Sequence, residues 1–202
     1  MNVTELQPPP GSTLDLFLRT GAYLQGHFRL TSGLHSGGYL QCALVLSYPE
    51  YAERFGRELA EALSSLTPFT KPDLVVAPAL GGLIIGHEVA RALGCRFLFT
   101  ERESHGKMVL RRGFDVQSGQ KAVVVEDVVT TGGSSREVID LLRERGVEVL
   151  AAACIVDRSG GEADLGIRRV ALETMSVKTF SEELCPMCQE NIPITKPGSR
   201  KV

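Results

Sequence analysis

The sequence lacks the features of a membrane protein, of a secreted disulfide scaffold and of a general polyanion binder. No apolar run is long enough to span a bilayer, and no N-terminal stretch has the order of a signal peptide. The five cysteines are odd in number and irregularly spaced, which does not fit a disulfide framework. A formal net charge of −2 gives no general attraction to nucleic acid or to an anionic membrane. We therefore expect a cytoplasmic protein without nucleic-acid or membrane partners, in which any anion site is local.

No repeat recurs along the 202 residues, and this length suits one substantial domain. Strand and helix patterns alternate from Asp73 to Val156, which predicts an α/β fold with a doubly wound parallel sheet. The stretch from Ala22 to Leu46 is β-like, rich in turns and too short for a domain. We therefore expect an N-terminal helix and hood over residues 1–48, a core over 49–180 and a C-terminal extension over 181–202 with an irregular end.

The most informative stretch begins with a β-branched apolar run, Val123–Val125, which predicts a strand buried on both faces. Phe114–Gln117 and Lys121–Val125, joined through Ser118 and Gly119, predict a hairpin-like entry into this strand. The acids Glu126 and Asp127 follow where this strand should end. A helix is predicted from Ser134, because Glu137 three residues later completes a capping box.

The turn between this strand and helix can hold an anion. Gly132 and Gly133 allow close backbone approach, and a helix N-terminus offers unpaired N–H groups. The turn lacks the lysine of a nucleoside-triphosphate P-loop. Two carboxylates before a phosphate cradle suit a sugar phosphate such as ribose 5-phosphate. An ordinary strand-to-helix turn with solvated acids is the alternative.

Three other segments carry candidate chemistry. The glycine-rich junction Ala77–Gly82 can meet an anion or can be a turn selected for packing. The segment Thr100–Gly113 is basic and can fold over a polyanion or be a solvated loop. Arg158, which follows a predicted strand over Val147–Val156, can bind a carboxylate or form a surface salt bridge.

The cysteines leave one question open. Cys42, Cys95 and Cys154 lie in apolar contexts and are expected in the core. Cys185 and Cys188 form a CxxC pair, which supplies two thiolates where a structural zinc usually takes four ligands. A metal site there requires a second pair of ligands from elsewhere in the chain or from a symmetry mate.

The run from Val123 to Ser135 resembles the phosphoribosyl-pyrophosphate signature of the type I phosphoribosyltransferases. The resemblance implies that fold, with Glu126 and Asp127 on the ribose hydroxyls and the following loop around the 5-phosphate. The implied substrate contacts of the signature are Val128, Val129, Thr130, Thr131, Gly132, Gly133 and Ser134. The implied pyrophosphate loop is Ala79, Leu80 and Gly81.

Two further segments resemble the orotate phosphoribosyltransferases of that superfamily. Leu30–Leu40 is similar to their hood motif, with His35 where the family commonly has a lysine, so His35 is a candidate substrate-binding residue. Thr100–Gly113 is similar to their mobile catalytic loop, which makes Arg102, His105 and Lys107 candidate catalytic residues. Arg158 matches the arginine that contacts orotate.

The resemblance implies transfer of the phosphoribosyl group from phosphoribosyl pyrophosphate to orotate, a step of pyrimidine biosynthesis that gives orotidine 5-monophosphate. It further implies Mg²⁺ held mainly through the substrate, with no direct protein ligand, and a homodimer with shared active sites. Two alternatives stay open. One is a phosphoribosyltransferase for another nucleobase, and the other is a regulator that senses phosphoribosyl pyrophosphate and binds nucleic acid without turnover.

Overall fold

The computed structural model describes residues 8–30, 33–104 and 106–196. It contains two compact units, each with its own sheet. One unit combines Met1–Val45 with Ser176–Val202, and the other is Leu46–Met175. The C-terminal segment, which the sequence suggested as a separate extension, is thus grouped with the N-terminal hood. Within the described ranges, no helix has the length and apolar character that a membrane crossing needs.

The helices and strands are numbered here in chain order. The helices are α1 (Thr13–Arg19), α2 (Cys42–Leu46), α3 (Pro49–Ser64), α4 (Gly82–Leu93), α5 (Gly133–Glu144) and α6 (Pro186–Gln189). The strands are β1 (Tyr23–Arg29), β2 (His35–Leu40), β3 (Leu74–Pro78), β4 (Arg96–Arg102), β5 (Met108–Leu110), β6 (Lys121–Val129), β7 (Glu148–Asp157), β8 (Arg169–Thr174), β9 (Thr179–Phe180) and β10 (Ile194–Thr195).

The larger unit contains the predicted parallel sheet. Its strand order is β5-β4-β3-β6-β7-β8, and every neighbouring pair is parallel except β4 and β5. Successive residues of β3 point to opposite faces. Val76 packs in a core cluster with Val138 and Leu142 of α5. Ala77 packs on α4 instead, because a Cβ added to Gly86 of that helix would lie only 2.9 Å from the methyl group of Ala77. Helices therefore cover both faces, which confirms the doubly wound fold.

Two local predictions are wrong. Residues 114–117 were expected to form a hairpin with β6 but are not a strand. The antiparallel partner at this edge is instead β5, which pairs with β4 through Arg102 opposite Met108. Residues 42–46, expected to be β-like, form α2, because Cys42, Val45 and Leu46 then share a buried face.

The smaller unit is built on a four-stranded sheet with the order β10-β1-β2-β9. β1 and β2 form an antiparallel hairpin, β9 adds to β2, and β10 pairs in parallel with β1. The chain end expected to be irregular thus contributes a short strand. The expected N-terminal helix is α1, whose N-cap Ser12 accepts a hydrogen bond from the backbone N–H of Asp15 at 3.3 Å.

Candidate active site

The candidate site lies where the strand order of the larger sheet reverses. β3 and β6 are neighbours, but the chain continues from β3 to β4 on one side and from β6 to β7 on the other. In open α/β sheets, ligands bind at the carboxyl ends of the strands at such a switch point. The loops after β3 and β6 are the two that the sequence suggested for anion binding.

The two acids are the last part of β6 rather than the turn after it. The strand continues to Val129, whose side chain is buried and whose carbonyl accepts a hydrogen bond from the backbone N–H of Arg158 at 2.8 Å. The backbone N–H of Val128 donates to Oδ1 of Asp127 at 2.9 Å. The backbone N–H of Val128 and the backbone carbonyl of Val129 thus position Asp127 and Arg158. The predicted substrate contacts of these two valines stay predictions.

The phosphate-cradle loop differs from the predicted capping box. α5 begins at Gly133, and its N-cap is Gly132 with φ 76° and no side-chain cap. Glycine adopts this left-handed conformation without strain. Glu137 lies five residues after this N-cap, which is too far for a capping box, and it pairs with Arg102. Thr130 and Thr131 are exposed, and Ser134 is half-buried in the first turn. Their hydroxyls and the free N–H groups of that turn can donate to a phosphate.

The loop after β3 touches the carboxylate of Asp127. A Cβ on Gly81 would lie 2.5 Å from Oδ1 and 2.6 Å from Oδ2 of Asp127, so only glycine fits there without displacement. The N–H of Ala79 donates to the carbonyl of Thr100 at 2.8 Å, and the peptide bond between Ala79 and Leu80 is cis. The side chain of Leu80 is exposed. The predicted loop after β3 is thus in direct contact with one of the two acids of β6.

The pKa of the Glu126 carboxyl group is raised from 4.5 to about 7. Burial is the largest cause and the neighbouring Asp127 adds to it, whereas a hydrogen bond from Ser135 and the charge of Arg102 lower the pKa. Desolvation is the largest of these influences because the charged carboxylate loses more hydration than the neutral acid. A carboxyl group that titrates near neutral pH beside a second acid is typical of functional sites.

The basic segment is a β4–β5 hairpin. Two turn hydrogen bonds, from Glu103 to the Lys107 carbonyl and from Gly106 to the Glu103 carbonyl, close it at 2.9 Å each. The guanidinium of Arg102 makes a bidentate pair with Glu137 at 2.9 and 3.0 Å. Lys107 is exposed. His105, predicted as catalytic, lies outside the described residues.

Arg158 follows β7, and a buried ion pair supports its neighbour. Asp157 is paired with Arg169 at 2.6 Å, and both side chains are nearly inaccessible to solvent. Asp157 also accepts hydrogen bonds from the N–H and hydroxyl groups of Ser159 at 2.9 and 2.6 Å. These contacts fix the strand end from which Arg158 extends.

The same region matches a known family. The model of the Phosphoribosyl transferase domain matches residues 50–184. An orotate phosphoribosyltransferase of Desulforamulus reducens is 51% identical over 94% of this chain and 96% of its own length. One from Pelotomaculum thermopropionicum is 52% identical over 93% of this chain and 96% of its own. The chain belongs to the orotate phosphoribosyltransferase family.

A solved structure agrees with this assignment. The crystal structure of orotate phosphoribosyltransferase from Aeropyrum pernix has a TM-score of 0.64 and 28% identity. The match covers 79% of this chain and 91% of that chain. The type I phosphoribosyltransferase-like fold predicted from the signature is therefore confirmed.

The larger unit of this orotate phosphoribosyltransferase contains most of the predicted site. Gly81 and Asp127 are in contact, the charge of Arg102 lowers the pKa of Glu126, and the backbone N–H of Arg158 donates to the last residue of β6. The role of each residue in binding or catalysis stays a prediction. Sequence reasoning missed Ser135 as a hydrogen-bond donor to Glu126, and it gave Glu137 a capping role where the structure pairs it with Arg102. Nothing local in the sequence marks Arg169 as the partner of Asp157.

His35 belongs to the other unit, where its side chain is buried. Only 2% of the residue is exposed, and its Nδ1 lies 2.9 Å from Nε2 of His27. Its predicted role in substrate binding stays a prediction, and these neighbours give it a second candidate role.

Proposed function

We propose that this chain transfers the 5-phosphoribosyl group of phosphoribosyl pyrophosphate to N1 of orotate, giving orotidine 5-monophosphate and pyrophosphate. Family membership supports this activity. The observation that carries the site assignment is the contact of Gly81 with Asp127, because it joins a ribose-binding carboxylate to the loop proposed for the pyrophosphate.

The ribose half of the site follows from the carboxylates. Breaking the bond from the anomeric carbon to pyrophosphate develops positive charge on the ribose. Asp127 and Glu126 would accept hydrogen bonds from the ribose hydroxyls and oppose that charge. With a pKa of about 7, Glu126 is ionised in only part of the molecules at neutral pH. Donation from ribose hydroxyls to its carboxylate would favour the ionised form.

The phosphate half follows from the cradle and the hairpin. The loop from Thr130 to Ser134 would bind the 5-phosphate at the N-terminus of α5. Arg102 would stabilise the departing pyrophosphate, for which it must exchange Glu137 for the new anion. Since both partners are 42% exposed, this exchange costs little. Lys107 and His105 are proposed to add charge from the same hairpin.

A magnesium ion belongs to this proposal. Oxygens of phosphoribosyl pyrophosphate and water would coordinate it, and the negative charge of Glu126 and Asp127 would favour a cation beside the bound substrate. When bound, the ion would neutralise part of the charge on the leaving pyrophosphate. The residues present fit that ion without a dedicated set of protein ligands.

Selectivity for orotate is assigned to Arg158. A planar guanidinium binds a carboxylate through two hydrogen bonds, and orotate carries a carboxylate that uracil and the purines lack. Two further parts of the proposal, a homodimer with shared sites and a cytoplasmic location, come from the resemblance. A sedimentation measurement and cell fractionation test them.

The activity is tested by measuring orotate consumption with phosphoribosyl pyrophosphate and Mg²⁺. We expect turnover by the wild type, a fall in kcat/KM of about 100-fold or more in Asp127→Asn, and a rise of about 10-fold to 100-fold in the KM for orotate in Arg158→Ala. Asp140→Asn and Arg57→Ala, at exposed positions of α5 and α3, are the matched controls.

Three results would contradict the proposal in different ways. Turnover with another base but not orotate would indicate a different phosphoribosyltransferase. Salt-dependent binding to nucleic acid without turnover of any base would indicate the regulator. An unchanged KM for orotate in Arg158→Ala would remove the role of Arg158 alone.

A further inference from the structure

Four potential metal ligands come together in the smaller unit, apart from the acids of the candidate active site. They are Nε2 of His27 on β1, Nδ1 of His35 on β2, and the thiols of Cys185 and Cys188 at the start of α6. All four ligand atoms lie within 4.8 Å of one another. Among the described residues, this is the only group of three or more such side chains.

The distances suit tetrahedral coordination. Nε2 of His27 lies 2.9 Å from Nδ1 of His35, 3.5 Å from Sγ of Cys185 and 3.7 Å from Sγ of Cys188. Nδ1 of His35 lies 3.2 Å from Sγ of Cys188. Zinc bonds of about 2.0 Å to nitrogen and 2.3 Å to sulfur require ligand separations of about 3.3–3.8 Å in a tetrahedron. Shifts of a few tenths of an ångström at these pairs therefore suffice to admit the ion.

A second contact orients the first imidazole toward the centre. Nδ1–H of His27 donates to the carbonyl of Ile192 at 2.8 Å, which leaves the lone pair of Nε2 directed at the other three ligand atoms. Metal-binding histidines typically use their other ring nitrogen in this way, since the hydrogen bond fixes both the tautomer and the ring orientation. Asn191, with φ 53°, makes the turn that brings the Ile192 carbonyl to His27.

The cluster is closed to solvent on most sides but remains reachable. His27, His35 and Cys185 are at most 3% exposed, and Cys188 is half-buried. Cys188 and His35 also line a cleft of about 280 Å³, which gives a metal ion a path to the ligands. Both cysteines are free thiols. Four protein ligands leave no open coordination position, which is the arrangement of structural rather than catalytic zinc.

We propose that His27, His35, Cys185 and Cys188 bind one structural zinc ion that fastens the C-terminal segment to the hood hairpin. The site completes the CxxC pair with two histidines about 150 residues away in the sequence. A zinc ion bound to these four ligands would link β1 and β2 to α6. The hydrogen bond from His27 to the Ile192 carbonyl extends this link to the turn before β10. The smaller unit is small for a self-sufficient hydrophobic core, and structural metals commonly supply the missing stability in units of this size.

The test measures zinc in the full chain purified without a histidine tag. We expect about one zinc per chain in the wild type, and near zero in Cys185→Ser and Cys188→Ser. Cys95→Ser, which changes a cysteine outside the cluster, should retain the wild-type content. Replacement of zinc by Co²⁺ should produce the visible and thiolate-to-cobalt absorption bands of a tetrahedral site with sulfur ligands.

The wild type alone can overturn the proposal, so a folding defect in the variants does not weaken the test. A zinc-free wild type that takes up no zinc or cobalt on titration would refute it. A Cys185–Cys188 disulfide in the native protein, detected by mass spectrometry, would also refute it in favour of a redox pair. If zinc binds, chelation should increase amide exchange in β1, β2 and β10 but not in β3 or β6.

Discussion

The titration of Glu126 predicts an unusual pH dependence for a single substitution. Glu126→Gln keeps the size of the side chain and its ability to accept the hydrogen bond of Ser135, but it removes the charge. Because burial raises the pKa of Glu126 from 4.5 to about 7, the folded protein holds a proton that the unfolded chain releases. The wild type therefore loses stability as the pH rises from 4.5 to about 7, whereas the variant has no titrating group at this position and shows no such loss.

The magnitude follows from the two pKa values. A displacement from 4.5 to about 7 corresponds to about 3 kcal/mol, at about 1.4 kcal/mol for each pH unit. Below pH 4.5 the group is protonated in both states and its contribution is fully present. As the pH rises to 7 the contribution is lost, and above that value the loss is complete. Glu126→Gln should thus gain about 3 kcal/mol relative to the wild type between about pH 4 and pH 8.

Urea unfolding of both proteins at a series of pH values measures this difference. Glu144→Gln, at an exposed position of α5, controls for the removal of one acid. A stability difference that stays constant within about 0.5 kcal/mol over the whole range would refute the reasoning, since additive surface effects have about that size. The same titration should appear in activity, with the kcat/KM of the wild type rising with pH through about 7 as the carboxylate forms.

Three further predictions rest on single contacts. Gly81→Ala should lower kcat/KM by about 100-fold, because its methyl group would displace the Asp127 carboxylate, and steady-state kinetics would show this. Arg169→Leu should cost about 3–5 kcal/mol in urea unfolding, since it leaves the buried charge of Asp157 unpaired. Arg102→Gln should change stability by at most about 1 kcal/mol but reduce turnover by about 10-fold or more.

Each of these predictions has its own control and its own contrary outcome. Gly37→Ala introduces a methyl group whose nearest neighbour would be Sδ of Met187 at 3.8 Å, an ordinary contact, and equal losses in both variants would contradict a local effect at Gly81. A stability change below about 1 kcal/mol in Arg169→Leu would mean that the ion pair is solvated. If Glu137→Gln reduced turnover as much as Arg102→Gln, the ion pair rather than the released guanidinium would be the active element.

The fold and the phosphate site could be predicted because their signals are local in the sequence. The β-branched run of β6, the two acids and the glycine turn are contiguous, so one stretch specifies a strand, its end and a helix N-terminus. The N-cap was still predicted two positions late, because Ser134 and Glu137 have the spacing of a capping box. In the structure the N-cap is Gly132, so Ser134 lies within the first turn, and Glu137 pairs with Arg102, 35 residues away.

The parts that sequence reasoning missed are those made by distant residues. Arg169 neutralises Asp157 across neighbouring parallel strands, and no spacing rule connects an arginine to an aspartate of the preceding strand. The predicted hairpin of residues 114–117 failed for a related reason. A turn signal can mark the end of a strand, but only the tertiary structure selects which strand becomes its partner.

His35 shows how the same limit affects a functional assignment. Its position in a hood motif suggested a ligand for the substrate, and that hypothesis uses only its neighbours in the sequence. The fold instead places its Nδ1 3.2 Å from a thiol 153 residues away. The two roles make opposite demands, since a substrate ligand needs an accessible ring nitrogen and a structural metal ligand needs a buried one. An exposure of 2% favours the metal, so zinc content rather than orotate affinity should respond first when His35 is replaced.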